Sequence, residues 1–263
     1  MKRLPPPWVG SAEAAGLSRL FRTGVRSLLM LDYDGTLAPF HTDRFQAIPY
    51  PGVAARLQTL SQLAQVRLVL VSGRSARELS QLLGIRVEIW GSHGREHLSL
   101  DGAYKHFALD PVERAALDEV ERKLSELGWA RTLEVKPSSI AVHWRSADTA
   151  TQERIRSTVT SAFAGLGRTG SLELLPFDGG AELRSTDRTK GTAVREILTE
   201  ESAATPAAYL GDDLTDEDAF AALGNGGYSV LVRSEVRESV ARFWLRPPAE
   251  LLHFLDNWIR GAS

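Results

Sequence analysis

One stretch constrains the fold more than any other, the apolar run Leu28-Leu29-Met30-Leu31 followed at once by Asp32-Tyr33-Asp34-Gly35-Thr36. Four apolar residues bounded this tightly predict a strand that is buried on both faces, as in a parallel sheet. The two carboxylates then lie just beyond the carboxyl end of the strand, where open α/β sheets bind their ligands. The stretch therefore predicts both a fold class and the place of a site.

The spacing of the two acids has chemical consequences. Side chains at positions i and i+2 share one side of an extended chain, and a bend at Gly35 brings Asp34 towards the volume that Asp32 faces. One carboxylate can then attack a phosphorus atom while the other transfers the leaving-group proton, and a divalent cation offsets their charge. A turn built from Asp and Gly explains the same residues without chemistry.

Apolar strands alternate with amphipathic helices in the first hundred residues and again after residue 190. The predicted strands are Leu28–Leu31, Val66–Val71, Val87–Trp90, Ala207–Leu210 and Tyr228–Val232. The predicted helices are Val53–Ala64, a helix that starts at Ser72–Ser75, Lys190–Leu198, Asp216–Leu223 and Ala249–Ile259. This order predicts an α/β core with a parallel sheet and right-handed crossovers.

The pattern changes between about residues 104 and 185, where a helix followed by two strands occurs twice. The predicted helices are Leu109–Leu127 and Ala150–Phe163, and the predicted strands are Thr132–Lys136, Ser139–Arg145, Leu172–Leu175 and Ala181–Arg184. We expect a small antiparallel sheet with both helices on one face. The sequence thus predicts a core of residues 1–103 and 186–263 and an inserted domain of residues 104–185.

Three later stretches bear on the first. Ser72 ends the second strand, where its hydroxyl can hold a phosphoryl oxygen or cap the next helix. Lys190 opens a helix with Gly191, so its ammonium can face an anion or simply solvent. Five acids lie between Asp212 and Asp218. One or two of them can cap a helix, but five repel one another unless a cation lies among them, so we favour a metal site.

Composition excludes several classes of function. The chain has no cysteine, which rules out disulfides, thiolate metal sites and cysteine nucleophiles and fits a reducing compartment. A net charge of -2 gives no electrostatic case for nucleic acid or an anionic membrane surface. Residues 1–26 lack the apolar core of a secretory signal, and no apolar stretch has the length of a membrane span. We therefore expect a cytoplasmic protein.

Taken in order, these stretches resemble the haloacid dehalogenase (HAD) superfamily of phosphohydrolases. Within it the chain is similar to the trehalose-6-phosphate phosphatase family, through Leu31–Leu37, Ser72-Gly73-Arg74, Gly91-Ser92-His93-Gly94, Glu134–Lys136 with His143-Trp144-Arg145, and Gly211–Asp218. The resemblance implies a HAD-like Rossmannoid parallel-sheet core with an inserted α+β cap domain of the C2 type. The cap is expected to close over the site and exclude water.

The resemblance also implies roles for individual residues. Asp32 is the expected nucleophile, Asp34 the acid that protonates the sugar oxygen and then activates water, and Ser72 and Lys190 the groups that hold the phosphoryl. The expected magnesium ligands are Asp32, the Asp34 backbone carbonyl and Asp212, with Asp213 and Asp216 acting through water or orienting Lys190. The expected substrate-binding residues are Thr36, Arg74, His93, Glu134, Lys136 and Glu182. His143 and Arg145 either support the sugar pocket or only pair across strands.

Other functions are compatible with the same core motifs. A phosphatase of sucrose phosphate or glucosylglycerate phosphate would differ only in the cap, and a phosphomutase would return the phosphoryl group to sugar. A non-catalytic sugar-phosphate sensor would lack the nucleophile or the acid, whereas Asp32 and Asp34 are both present. The family often has proline soon after the later cap glutamate, where this chain reads Leu183–Asp187. We expect a monomer whose sugar phosphate comes from a separate synthase.

Overall fold

The computed structural model describes residues 2–11, 26–41, 46–136, 138–145, 147–164, 172–177 and 179–262. In chain order its helices and strands are β1 (Ser27–Leu31), α1 (Val53–Gln62), β2 (Val66–Val71), α2 (Ala76–Leu83), β3 (Glu88–Gly91), β4 (Glu96–Leu98), β5 (Tyr104–His106), α3 (Pro111–Glu126), β6 (Leu133–Lys136), β7 (Ser139–His143), α4 (Thr149–Ala164), β8 (Leu172–Phe177), β9 (Gly180–Ser185), α5 (Lys190–Thr199), β10 (Ala207–Gly211), α6 (Glu217–Leu223), β11 (Tyr228–Val232), β12 (Phe243–Leu245) and α7 (Ala249–Ala262).

The chain divides into two compact units. The first comprises residues 1–106 and 189–263, and the second comprises residues 107–188. The observed junctions, 106/107 and 188/189, each lie three residues later in the chain than the boundaries predicted from the sequence, 103/104 and 185/186. Residues 104–106 belong to the first unit because they form β5, which pairs with β4 of the same sheet. No helix in the described parts of either unit is long and apolar enough to cross a membrane.

The first unit is built on an eight-stranded sheet of order β12-β11-β10-β1-β2-β3-β4-β5. The six strands from β12 to β3 are parallel, and β4 and β5 continue the sheet in antiparallel pairing. The predicted parallel sheet is therefore confirmed, with the bounds of all five predicted strands correct to within one residue. The sequence did not reveal β4, β5 and β12, because three-residue strands are too short to show a period.

The centre of this sheet is β1, all five residues of which are buried. Its Leu29 and Leu31 belong to the core cluster that contains Leu57 of α1 and Phe254 of α7. On the opposite face Tyr209 of β10 packs edge-on against Phe220 of α6, with ring centroids 5.7 Å apart. Helices thus cover both faces, which is why β1 reads as an unbroken apolar run.

The second unit is a four-stranded antiparallel sheet of order β6-β7-β9-β8. Ile140, Val142 and Leu183 share one hydrophobic cluster with Leu117 of α3 and Val159 of α4. Both helices therefore lie on one face of the sheet, as the sequence predicts. Because side chains alternate between the faces of a strand, the neighbours of these apolar residues project from the opposite face.

A buried ion pair joins the beginnings of β2 and β3. The Arg67 guanidinium donates to both carboxylate oxygens of Glu88 at 2.9 Å, and it also contacts Glu200 and Glu201 after α5 at 2.7 and 3.1 Å. Burial alone raises the pKa of Glu88, but hydrogen bonds from His97 and Arg67 outweigh it and lower that pKa to about 2. The ionised carboxylate is therefore the form that the fold stabilises.

Replacing Glu88 by Gln is expected to lower the free energy of unfolding at pH 7 by on the order of 3 kcal/mol. A carboxylate whose folded pKa lies below its unfolded value of 4.5 stabilises the fold fully above pH 4.5, and this stabilisation is lost as the pH falls towards 2. Urea unfolding of wild type and Glu88→Gln at pH 7 and pH 3 measures it. The difference should shrink at pH 3; an unchanged difference would show that ionisation of Glu88 is not its origin.

Candidate active site

Three carboxylates and one ammonium group meet at the carboxyl ends of β1 and β10. Asp32 follows β1 and Asp212 follows β10, and these strands are parallel neighbours. Carboxylate oxygens of Asp32, Asp212 and Asp216 lie within 4.8 Å of one another. The Nζ atom of Lys190, the first residue of α5, lies 2.8 Å from Asp32 Oδ1 and 2.8 Å from Asp216 Oδ1. Lys190 is buried, so the alternative of a solvated lysine is wrong.

Asp216 organises this cluster through four hydrogen bonds. Its Oδ1 accepts from Lys190 Nζ at 2.8 Å and from the Tyr209 hydroxyl at 2.6 Å. Its Oδ2 accepts from the backbone N–H groups of Asp212 at 3.0 Å and Asp213 at 2.9 Å. A carboxylate has about four lone-pair positions, and all four are used here. Asp216 therefore holds its neighbours in place and has no lone pair left for a metal ion.

The electrostatics of the cluster favour a bound cation. Burial, with repulsion from Asp216, raises the pKa of Asp32 to about 7 against the opposing effect of Lys190. Burial and the charges of Asp32 and Asp216 raise the pKa of Asp212 well above its usual value. Lys190 alone does not balance three acids. The oxygens of Asp32 and Asp212 are hard donors of the kind that magnesium binds, so the residues present fit that ion.

Asp213 has a different place from its neighbours. Its side chain is exposed and accepts from the backbone N–H of Asp216, which caps the short 3-10 turn Leu214–Asp216. In the part of the chain that the structure describes, it does not belong to the group of carboxylates whose oxygens lie within 4.8 Å of one another. The sequence left two explanations for this run of acids, helix capping and metal binding. Both apply, because Asp213 caps a turn and Asp212 lies at the candidate metal site.

Gly35 allows the chain after β1 to approach Asp212. The turn is closed by the carbonyl of Tyr33, which accepts the N–H of Ala38 at 3.0 Å, and Gly35 has a φ of +78°. A Cβ atom at this position would lie 2.2 Å from Asp212 Oδ2. Thr36, which is buried, donates to Asp212 Oδ1 at 3.4 Å. The structure thus places Thr36 against the candidate metal ligand.

The loop between β2 and α2 carries Ser72 and Arg74. Ser72 is buried and does not cap α2, since the residue that caps it is Ser75, whose side chain accepts from the Glu78 N–H. The Ser72 hydroxyl instead accepts from the N–H of Arg74 at 3.1 Å. The alternative reading of Ser72 as a helix cap is therefore wrong, and its hydroxyl faces the loop rather than the helix axis.

The turn after β3 fixes this loop from the other side. Ser92 and His93 both have left-handed backbone conformations, with φ values of 48° and 56°. The N–H of His93 donates to the Ser72 carbonyl at 3.0 Å, and the N–H of Ser92 donates to the Arg74 carbonyl at 2.7 Å. Such strain persists only where the surroundings enforce it and is common at functional sites. His93 therefore contacts the loop of Ser72 directly.

Arg74 reaches from this loop to the second acid of the first motif. Its Nε atom donates to Asp34 Oδ2 at 2.6 Å and its Nη2 atom donates to Asp34 Oδ1 at 2.7 Å. The same guanidinium donates to Glu78 of α2 at 2.8 Å and lies 5.5 Å from the centroid of the Tyr33 ring. The structure thus joins Arg74 to Asp34 through two parallel hydrogen bonds.

A group of polar residues covers the helix-free face of the second unit's sheet. Lys136 Nζ lies 3.0 Å from Glu182 Oε1, which also accepts from the Ser139 hydroxyl at 2.6 Å. Glu134 Oε2 lies 3.0 Å from His143 Nε2. The three residues predicted to bind sugar, Glu134, Lys136 and Glu182, therefore share one sheet face, and we call them and their two partners the cap polar group.

Comparison with known proteins decides the family. A sequence profile described as trehalose-phosphatase matches residues 30–245, which is most of the chain and includes every motif of the site. The chain belongs to the trehalose-phosphatase family. Among curated trehalose-phosphatases, those of Mycobacterium marinum and Mycobacterium tuberculosis strain H37Rv are 32% and 31% identical to it over 87% and 88% of its length. The chain spans about 60% of the length of these relatives.

Solved structures show that the fold is that of trehalose-phosphatases and HAD hydrolases. The C-terminal domain of Candida albicans trehalose-6-phosphate phosphatase superposes with a TM-score of 0.78 at 22% identity, over 99% of both chains. The C-terminal domain of a Candida albicans trehalose synthase regulatory protein gives 0.68 at 12% identity, over 97% of this chain and 99% of that one. A haloacid dehalogenase-like hydrolase from B. subtilis gives 0.58 at 16%, over 88% and 99%.

Three residues that contact the candidate site of this trehalose-phosphatase family member were not predicted from the sequence. Glu96 accepts from the Ala76 N–H at 2.8 Å and from the Ser92 hydroxyl at 2.7 Å, so it ties α2 to the turn after β3. Arg233 donates to the backbone carbonyl of Asp212 at 3.2 Å. Tyr209 lies within an apolar strand and reads as a core residue. Only its phenolic hydroxyl, which a buried tyrosine must pair, hints at a polar neighbour.

Proposed function

We propose that the chain is a magnesium-dependent phosphatase that hydrolyses trehalose 6-phosphate to trehalose and phosphate, the final step of trehalose biosynthesis. The proposal depends on one observation. The side chains of Asp32, Lys190 and Asp212 are buried and lie close together at the carboxyl ends of two neighbouring parallel strands. This arrangement supports the proposal, because the carboxylate proposed as the nucleophile lies beside an ammonium group and a second carboxylate that suits a cation. We expect the reaction to occur in the cytoplasm on substrate from a separate synthase, with the enzyme a monomer.

The proposed reaction has two steps. A carboxylate oxygen of Asp32 forms a bond to phosphorus while the bond from phosphorus to the sugar oxygen breaks, and Asp34 gives that oxygen a proton. Water then attacks the aspartyl-phosphate, Asp34 takes a proton from the water, and the bond between phosphorus and Asp32 breaks. Lys190 and the Ser72 hydroxyl hold the phosphoryl oxygens in both steps, since phosphoryl transfer depends chiefly on positioning and charge neutralisation.

Asp32, the Asp34 backbone carbonyl and Asp212 are the proposed magnesium ligands. Magnesium binds few protein carboxylates and keeps several waters, which suits a site with two acids. When bound, the ion neutralises charge on the transferred phosphoryl group. Asp216, whose oxygens already accept four hydrogen bonds, instead orients Lys190, and the exposed Asp213 acts at most through water.

The proposed sugar specificity rests on the cap polar group. Glu134, Lys136 and Glu182 combine acceptors and donors on one face, as the hydroxyl groups of a disaccharide require. The relatives from Mycobacterium marinum and Mycobacterium tuberculosis, which are named trehalose-phosphate phosphatases, support trehalose 6-phosphate as the substrate. Another sugar phosphate remains the alternative, because only this unit distinguishes the two substrates.

A regulatory role without catalysis is the second candidate. The fold is shared with the C-terminal domain of a trehalose synthase regulatory protein, which shows that the same architecture occurs in a protein with that name. The present chain keeps Asp32, Asp34, Lys190 and Asp212 together with their contacts. A binding module needs neither the contact of Asp32 with the buried Lys190 nor that of Asp34 with Arg74, so the phosphatase is the better supported proposal.

Phosphate release from a panel of phosphate esters tests the proposal. The panel contains trehalose 6-phosphate, sucrose 6-phosphate, glucose 6-phosphate and p-nitrophenyl phosphate, each with magnesium and with a chelator. We expect the highest kcat/KM for trehalose 6-phosphate and no turnover with the chelator. Preference for another sugar phosphate would replace the substrate, and binding without phosphate release would favour the regulatory candidate.

Replacing Glu134 by Ala is expected to lower kcat/KM for trehalose 6-phosphate by about 10- to 100-fold, because the hydroxyl groups it pairs lose an acceptor. Turnover of p-nitrophenyl phosphate, which has no sugar, should change by less than about threefold. Glu153→Ala, which removes an exposed carboxylate from α4, is the matched control. Equal losses on both esters would show that Glu134 does not act through the sugar.

A further inference from the structure

We infer that Arg74 is the positioning residue of Asp34, and that its contribution to catalysis is to aim this carboxyl group rather than to bind the substrate. The inference rests on the function proposed above, in which Asp34 is the acid and the base. It departs from the sequence-based expectation that Arg74 binds substrate. Arg74, Asp34 and the residues that hold Arg74 all belong to the first unit.

The two parallel hydrogen bonds define the direction of the Asp34 side chain. Asp34 follows β1 within a tight turn, where its carboxyl group is partly exposed and can rotate about two single bonds. A guanidinium that donates to both oxygens, at 2.6 and 2.7 Å, fixes the plane and the direction of that carboxyl group at once. A single hydrogen bond or a lysine ammonium would leave the plane free to rotate.

Arg74 is itself held from three sides. Its side chain, 9% exposed, donates to Glu78 in the first turn of α2 at 2.8 Å. Its backbone N–H donates to the Ser72 hydroxyl at 3.1 Å, and its carbonyl accepts from the N–H of Ser92 at 2.7 Å. Rigid support of this kind is what a group needs in order to hold another group accurately. Asp34 is thus fixed relative to the loop that carries Ser72.

This connection has a mechanistic consequence. Ser72 is proposed to hold the phosphoryl group and Asp34 to transfer a proton at the leaving oxygen, and both are anchored by the same residue. Proton transfer requires the acid to lie within hydrogen-bonding reach of the leaving oxygen, and a displacement of about 1 Å costs about 10²-fold in rate. Arg74 therefore sets the position of the acid relative to the phosphoryl group.

The experiment compares Arg74→Gln with wild type on two esters that differ in their need for an acid. The sugar alcohol of trehalose 6-phosphate is a poor leaving group, whereas p-nitrophenol leaves without protonation. For Arg74→Gln we expect kcat for trehalose 6-phosphate to fall by about 10²-fold with KM within about twofold. With p-nitrophenyl phosphate, rapid mixing should give a near wild-type burst of one p-nitrophenol per enzyme, then slow turnover.

The burst is expected because only the second step with this ester needs Asp34, to activate water. Arg74→Lys, which keeps the charge but cannot donate two parallel hydrogen bonds, should show the same pattern more weakly. Arg77→Gln is the control, since it makes the same substitution at an exposed arginine of α2 to which no role is assigned, and it should stay within about threefold of wild type for both esters. Thermal unfolding of each variant separates these effects from loss of fold, and Arg74→Lys replaces Arg74→Gln if the latter does not fold.

Two results would overturn the inference. A rise in KM with kcat unchanged would show that Arg74 binds the substrate. An equal loss in the first step with both esters would show that it does not act through the leaving-group proton. Absence of phosphate release from wild type with either ester is a different outcome, since that would contradict the proposed function itself.

Discussion

Asp32→Asn is expected to lower phosphate release from every phosphate ester by at least about 10³-fold while leaving the fold intact. An amide in place of the carboxylate cannot form the aspartyl-phosphate, so the loss should not depend on the leaving group. The fold should tolerate the change because burial already raises the pKa of Asp32 to about 7, which means that its charge is not well stabilised. Lys190 keeps its contact with Asp216 at 2.8 Å.

Two measurements check this expectation. Phosphate release with magnesium, from both trehalose 6-phosphate and p-nitrophenyl phosphate, gives the loss of rate, and thermal unfolding gives the stability. Acid quenching followed by mass spectrometry should find a phosphorylated Asp32 in wild type and none in the variant. Turnover by Asp32→Asn at more than about one part in a hundred of the wild-type rate would remove Asp32 from the role of nucleophile.

The parts of the fold that the sequence predicts are those with strong local patterns. The five predicted parallel strands are mainly apolar runs of four to six residues, and most of their residues are buried, so the pattern and the environment coincide. The short strands β4, β5 and β12 have no such pattern. They owe their extended conformation to pairing with a neighbour, which is a property of the whole sheet rather than of three residues.

In the candidate site, too, some features are predictable from the sequence and others are not. Asp32, Ser72 and Asp212 follow predicted strands and Lys190 opens a predicted helix, so the topology of a parallel sheet brings them to one edge. The direction of a long side chain is a different matter. That Arg74 turns to Asp34 depends on where α2 lies relative to the turn after β1, and no pattern in the sequence encodes that distance.

Asp212 and Asp216 look alike in the sequence, yet their surroundings in the structure differ, and the same substitution should separate them. Asp216 is fully buried and its four hydrogen bonds come from two side chains and two backbone N–H groups. An amide at this position would direct its NH2 group at donors in either orientation. Asp212, by contrast, is buried and suffers repulsion from Asp32 and Asp216, and these effects together raise its pKa well above the usual value.

Asp216→Asn is therefore expected to lower the free energy of unfolding by about 3–5 kcal/mol, as for the loss of one partner of a buried ion pair, and to lower kcat by at least about 10²-fold through displacement of Lys190. Asp212→Asn should leave the stability of the metal-free protein unchanged or raise it, because the substitution removes a repelled charge. The stabilisation that added magnesium gives to wild type should disappear in Asp212→Asn.

Urea unfolding of wild type, Asp216→Asn and Asp212→Asn, each with a chelator and with magnesium, measures both effects. Asp218→Asn is the matched control, because Asp218 is an exposed acid of the same run and its loss at the start of α6 should cost no more than about 1 kcal/mol. The reverse pattern, with Asp216→Asn stable but insensitive to magnesium, would show that Asp216 binds the metal. Such a result would require one of its four hydrogen bonds to break when the ion enters, since a carboxylate with four donors around it has no other place for a cation.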